Sequence, residues 1–256
     1  RQLGTSGSGN HFVEFGIFEL LEPRFGVAPG EYVALVSHSG SRGSGAKIAH
    51  HFSRIAREKR KNLPRNLQHL AWLSLDEEEG QEYWEAMQLM GKYASANHFV
   101  IHKDITKAIG WRKLFEVENH HNFAWKEQHA GKEMIVHRKG ATPAGKGVMG
   151  YIPGTMVAPG FLVEGTGKPE SLTSCSHGAG RGMSRKAARQ RITGNALRTL
   201  TKELGVTLLS AGLDEAPLAY KDIQTVMSAQ SDLVDVIGRF QPKIVKMAPD
   251  GEVPED

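Results

Sequence analysis

Cysteine is almost missing from this sequence: Cys175 is the one thiol in 256 residues. That excludes an intrachain disulfide framework and fits a reducing compartment, so the expected location is the cytoplasm. No apolar run reaches the roughly 20 residues that cross a bilayer, so no membrane partner is expected. There is no self-similarity at a period of about 20–50 residues, which removes solenoid and propeller architectures. The compact metal spacings HExxH and CxxC are also absent. Aromatic residues make up only 7%. What remains is a chain with 39% hydrophobic residues and a mean hydropathy of -0.38, the profile of a soluble globular protein. Its length suits one large domain or two small ones. The formal charge of +4 and pI of about 9.1 permit a nucleic acid or nucleotide partner without requiring one.

Glycine and histidine are plentiful, at 29 and 12 residues. Periodicity places a strand over His11–Leu20 and another over Glu31–Ser37, the second running into a Gly/Ser loop. A helix with a basic end follows over residues 46–62, so strand, Gly-rich loop and helix succeed one another, an arrangement suited to holding an anion. Glu77–Ile109 reads as a long helix with Trp84, Met87, Met90, Ala94, His98 and Ile101 on one side. A short strand or turn carries His120, His121 and Asn122. Strands broken by Gly/Pro turns cover 132–154, and "GFLVEG" is one more strand. Ser184–Thr193 is expected to be helical. Asp222 is expected to cap a last amphipathic helix that turns Ile223, Met227, Val234, Ile237 and Phe240 inward, with a mobile tail over 248–256. Without regular βαβ alternation the fold class is α+β, mixed sheets with surrounding helices.

Four loops place a histidine beside glycine, serine or asparagine near a strand end: "GSGNHF", "SHSGSRGSG", "ENHHNF" and "CSHGAGR", carrying His11, His38, His120 with His121, and His177. A fifth, "VHRKGAT", carries His137. A single such histidine is usually structural, whereas four on loops that can converge suit a metal ion. Gly-rich turns also offer backbone N–H groups to an anion, and Arg42 and Arg181 could fork onto phosphate oxygens. Metal, phosphate and arginine together form the constellation of phosphoryl or nucleotidyl transfer. His177 could act as a nucleophile on phosphorus. Cys175, in the same loop, reads as a small buried residue.

In order along the chain, "LGTSGSGNHFVE", "HSGSRGSG", "HHNFAWKE", "HRKGAT", "IPGTM", "SHGAGRGMSR" and "DEAPLAYKDI" resemble the RtcB family, GTP-dependent ligases that join RNA 3′-phosphate or 2′,3′-cyclic phosphate ends to 5′-hydroxyl ends. The resemblance spans Leu3 to Ile223. It implies a mixed α+β fold with a metal and GTP cleft formed by the histidine loops. It implies that His177 is the nucleophile that takes GMP, and that His11, His38 and His121 bind two Mn²⁺ ions. It places Asn10, His11, Phe12, Val13, Glu14, His121, Asn122, Pro153, Gly154, Thr155, Met156, Gly160, Gly178, Ala179, Gly180 and Tyr220 at the nucleotide, Glu14 on the guanine edge. Arg42, Arg181 and Arg185 are candidates for RNA or triphosphate oxygens. RNA ends, in tRNA splicing or RNA repair, and an activating protein are the implied partners.

The sequence also departs from the family. Its Asp-x-x-Cys metal motif lies upstream of the matched motifs and has no counterpart here, so residues 1–256 are expected to be the C-terminal part of a single catalytic domain. Val157 stands for a glycine, Gly160 for a serine at the guanine, and Asn97-His98 for Asn-Arg. The tail ends "VPED" where the family has Lys-Gly. These departures keep two alternatives open: a homologue that binds RNA ends or nucleotide without ligating, and a metal-dependent phosphoester hydrolase.

Overall fold

The computed structural model describes residues 2–249. Ten strands run in chain order: β1 (Phe12–Leu20), β2 (Gly30–His38), β3 (Asn122–His129), β4 (Lys132–Lys139), β5 (Ala141–Pro143), β6 (Met149–Ile152), β7 (Gly160–Gly165), β8 (Ser174–Ser176), β9 (Thr207–Ser210) and β10 (Val234–Met247). The α-helices are α1 (Arg42–Lys59), α2 (Glu78–Ile109), α3 (Arg185–Arg191), α4 (Gly194–Glu203) and α5 (Ile223–Ser228). The main sheet has the order β2-β1-β10-β7-β6, with β9 joining β10 in parallel. Its other pairings are antiparallel, and two small antiparallel pairs, β3–β4 and β5–β8, stand apart. This is the expected mixture of sheets and helices.

Strand β10 holds the sheet together because three strands bond to it. It pairs with β1 from Gly238 to Met247, with β7 over its first half and with β9 over its second. Phe240 is fully buried on it, between Phe18, Leu20, Leu162 and Ile237. Pro242 cannot donate a ladder hydrogen bond, and the register shifts where it meets Gly16. A Cβ at Gly16 would strike the Gln241 carbonyl and the Phe240 ring, so the irregularity needs glycine there.

The expected last helix is corrected here. Asp222 does cap a helix, accepting the Thr225 N–H at 2.9 Å, but α5 ends at Ser228 and residues 234–247 form β10. Val234, Ile237 and Phe240 match a helical period over a short window, but Gly238 and Pro242 oppose helix while the β-branched residues favour strand. Helix α1 starts at Arg42, inside the Gly/Ser loop, earlier than the composition suggested. Helix α2 matches expectation and stops at Gly110 in the left-handed conformation (φ 71°). The helix expected over Ser184–Thr193 is α3, Arg185–Arg191, with Ser184 as its N-cap. Helix α4, capped by Thr193, was not anticipated. Of the expected mobile tail, Ala248 is buried, and residues 250–256 lie outside those described.

If β10 organises the sheet, Phe240→Ala should cost about 3–5 kcal/mol in denaturant unfolding. A loss under ~1 kcal/mol would contradict that role.

Candidate functional site

Strand register brings the histidine loops together. Phe12 pairs with His38 across β1 and β2, so His11, just before β1, and His38, ending β2, share one end of the sheet. Their ring centroids are 5.7 Å apart, and Phe12 stacks on His38 at 5.5 Å. His121 immediately precedes β3, 4.6 Å from His38. His177 immediately follows β8 and lies 4.9 Å from His121 with the rings 21° from parallel. Pairing of Ser176 with Ala141 fixes that end of β8, and the His177 N–H donates to the Gly140 carbonyl at 3.4 Å. The result is a row of four imidazoles drawn from four loops. His120 instead stacks on Phe123 at 5.5 Å, and His137 is exposed on β4.

Imidazoles packed this closely resist protonation. His38 is held well below the usual histidine range by burial, then by His121, His11 and His177. Burial and the charges of His177 and His11 hold His121 down at about 3. His177 is lowered by burial, with the Gly140 carbonyl acting in the opposite sense. Neutral imidazole is the form that can attack phosphorus or bind a metal. His177 Nδ1 is buried and has no hydrogen-bond partner. Cys175 lies in the core, where burial pushes its thiol up to about 11, so it offers no thiolate.

The small residues after His177 lie close to the turn after β6. The Ala179 N–H donates to the Pro153 carbonyl at 3.1 Å, and a Cβ at Gly178 would come within 3.2 Å of that oxygen. Gly180 has φ +71°, a conformation glycine adopts freely. At Gly154 a Cβ would strike the Pro159 carbonyl. The Thr155 hydroxyl accepts the Ala158 N–H at 3.1 Å, and Met156 is buried in the core beside Val245 and Met247. Glu14, on β1, is buried and raised by desolvation to about 8. Val13 is half-buried on the same strand, Asn10 half-buried just before it, and Asn122 is exposed.

Two features here were not visible in the sequence. A Cβ at Gly160 would strike the Tyr151 hydroxyl, and burial together with Glu14 keeps that phenol well above its ordinary range. Asn97 is fully buried in α2: its Oδ1 accepts the Gly4 N–H at 2.7 Å, and its Nδ2 donates to the Thr5 carbonyl at 3.0 Å and the Ser39 hydroxyl at 2.9 Å. It therefore ties together the loops bearing His11 and His38. Its sequence signal was the family's Asn-Arg pair, which reads Asn97-His98 here. Similarly, the Gln230 amide oxygen accepts the Ser176 N–H at 2.8 Å, bracing β8.

The candidate phosphate-binding arginines hold the protein itself. Arg42 is buried at φ 59°, with Nη1 3.3 Å from His11 Nδ1 and Nε 3.2 Å from the Thr5 hydroxyl. Arg181 donates to the Asp214 carbonyl at 2.7 Å and the Met183 carbonyl at 3.1 Å, and lies 5.2 Å over the Tyr220 ring. Arg185 pairs with Asp214 at 2.9 Å and with Glu215, which also accepts the Tyr220 hydroxyl. As placed, Arg181, Arg185 and Tyr220 brace the segment after His177 rather than present open donors.

For a metal ion the donors suit in kind and not in arrangement. Guanidinium can only donate, so His11 Nδ1 accepts from Arg42 and that lone pair is engaged within the protein. Among the described residues, no group of three His, Cys, Asp or Glu side chains could hold an ion. These residues by themselves do not fit the metal that the family resemblance implies. Also among them, no helix is long and apolar enough to cross a membrane.

The family model described as tRNA-splicing ligase RtcB matches residues 1–247. Similar proteins include the RNA-splicing ligase RtcB of Escherichia coli strain K12, 36% identical over 250 residues, which cover 93% of this chain and 59% of that protein. The tRNA-splicing ligase RtcB of Methanococcus maripaludis is 34% identical over 295 residues, 98% of this chain and 59% of its own. That of Nanoarchaeum equitans is 32% identical over 286 residues, 95% and 59%. The chain thus spans 59% of the length of these relatives.

The depressed imidazoles have a consequence for stability. With folded values below the unfolded one, the unfolded chain binds more protons between about 6.5 and 3. Stability present above pH 6.5 should be lost as pH falls through that window. In denaturant melts between pH 7 and 4, His121→Gln should show a shallower decline than the parent protein. Equal slopes would mean that His121 is not desolvated.

Proposed function

This chain belongs to the RtcB family, and on that premise we propose that the protein is a GTP-dependent RNA ligase working through a covalent His177–GMP intermediate. Its substrates are RNA 3′-phosphate or 2′,3′-cyclic phosphate ends and 5′-hydroxyl ends, in tRNA splicing or RNA repair, with an activating protein as a further partner. The observation that carries the reading is His177, an imidazole that burial holds in its neutral form, stacked on His121 at the end of the histidine row.

In this reading His177 attacks the α-phosphorus of GTP. A nitrogen–phosphorus bond forms and pyrophosphate leaves. The GMP passes to an RNA 3′-phosphate, forming an anhydride and freeing the imidazole. The RNA 5′-hydroxyl then attacks the activated phosphate, the phosphodiester forms and GMP leaves. A cyclic phosphate end is first opened by water. Gly178 and Ala179 hold the chain after His177 against the Pro153 turn and so fix where the imidazole stands. Burial keeps Glu14 protonated at neutral pH; the N–H donors of a guanine edge would favour its ionised form. Two Mn²⁺ ions belong to the proposal because the family resemblance implies them. The described side chains by themselves do not close on an ion.

A non-ligating, RNA-end-binding role is the second reading. The observation in its favour is the Tyr151 hydroxyl filling the space beside Gly160. Incubating the protein with GTP, Mn²⁺ and RNA bearing 2′,3′-cyclic phosphate and 5′-hydroxyl ends separates the two. Sealing that needs GTP and drops about a thousandfold or more in His177→Ala supports the ligase. RNA bound but never sealed supports the second reading, and GTP-independent cleavage supports a hydrolase.

A further inference from the structure

Helix α1 begins beside the histidine row, with Arg42 against His11, and extends about 27 Å away from it over 18 residues. Phe52 and Ala56 are buried on one side of it, and α1 packs on α2. The opposite side carries Lys47, His50, Arg54 and Arg57, continued by Lys61 just beyond the helix, at alternating spacings of three and four. All five are exposed. Within the helix that spacing keeps the first four on one stripe with a rise of about 5 Å from each to the next, and Lys61 follows in the turn after it.

Few carboxylates balance the stripe. Arg54 pairs with Glu58 at 3.0 Å in an exposed contact. Lys59 and Arg60, off the stripe, take up Glu77 and Glu79. Among the described residues Lys47, Arg57 and Lys61 have no ion-pair partner. Beyond the far end, Trp72 is 55% exposed, and Arg60 covers one face of its ring at 4.9 Å. An indole stiffened by a guanidinium on one face can stack a nucleobase on the other.

We propose that this stripe, Lys47 to Lys61, is a track for the phosphate backbone of single-stranded RNA leading to the histidine row, with Trp72 as a base-stacking platform at its far end. The inference rests on the RNA-ligase reading for its partner and adds where the body of the strand lies. An anionic membrane is the weaker match, because the apolar side of α1 is already packed on α2 and an interfacial helix must have that side free.

The test is binding of a fluorescent 15-nucleotide RNA to the protein across a salt series. Lys47→Ala/Arg57→Ala/Lys61→Ala should fall at least about tenfold in affinity at 0.15 M salt and flatten the log–log salt slope by about two. A control of equal charge change elsewhere, Arg198→Ala/Lys202→Ala/Lys243→Ala, should bind like the parent. Trp72→Ala should lose about tenfold on single strands and little on duplex. Unfolding temperatures identify any variant that is merely misfolded; single substitutions, each expected to flatten the slope by about 0.7, then replace it. If the parent binds RNA and the stripe and control variants lose equally, or neither loses, the track is wrong and the ligase reading stands. If the parent binds vesicles containing phosphatidylserine and no RNA, both fall.

Discussion

The antiparallel ladder between β1 and β10 is the interaction on which the site depends. It fixes β1, and β1 fixes β2, so His11 and His38 reach the same sheet end by register alone. On its other edge β10 fixes β7 and, through it, β6, whose end leads into the Pro153 turn beneath Gly178 and Ala179. The burial of Phe240 and the Gly16–Pro242 irregularity are therefore part of what places an imidazole row some distance away. A slip of one residue in this ladder would turn Glu14 and Phe18 out of the core and shift His11 and His38 together relative to the rest of the sheet.

Desolvation then sets the chemistry of the row. Burial is the largest cause at His38, His121 and His177, and neighbouring histidines add to it at His38 and His121, so these three imidazoles resist protonation. The same burial that costs stability in acid keeps His177 neutral. Second-layer groups hold the geometry: Asn97 joins two histidine loops, Gln230 steadies β8, and the Asp214–Glu215 carboxylates anchor Arg181 and Arg185 behind the His177 loop. Arg42 sits on His11 Nδ1 in the arrangement described, so an ion there would have to displace that hydrogen bond.

Much of this was legible in the sequence because it is local. Alternation marked β1 and β2, a sustained apolar side marked α2, and glycine beside histidine marked the loops. What was missed depends on distant partners. Residues 234–247 carry a short helical period, and only pairing with β1, β7 and β9 decides that they form a strand. The carboxylates that Arg181 and Arg185 meet, Asp214 and Glu215, stand some 30 positions later in the chain. The clash of a Gly160 Cβ with Tyr151 likewise depends on the β6–β7 pairing, which no local pattern announces.

The central claim is that the neutral His177 at the end of the row accepts a nucleotide. Intact mass after incubation with GTP and Mn²⁺, with peptide mapping of any adduct, tests it most directly. The account predicts a gain of one GMP on His177 and none in His177→Ala. A GMP adduct on another residue, or no adduct while GTP and RNA both bind, would contradict it.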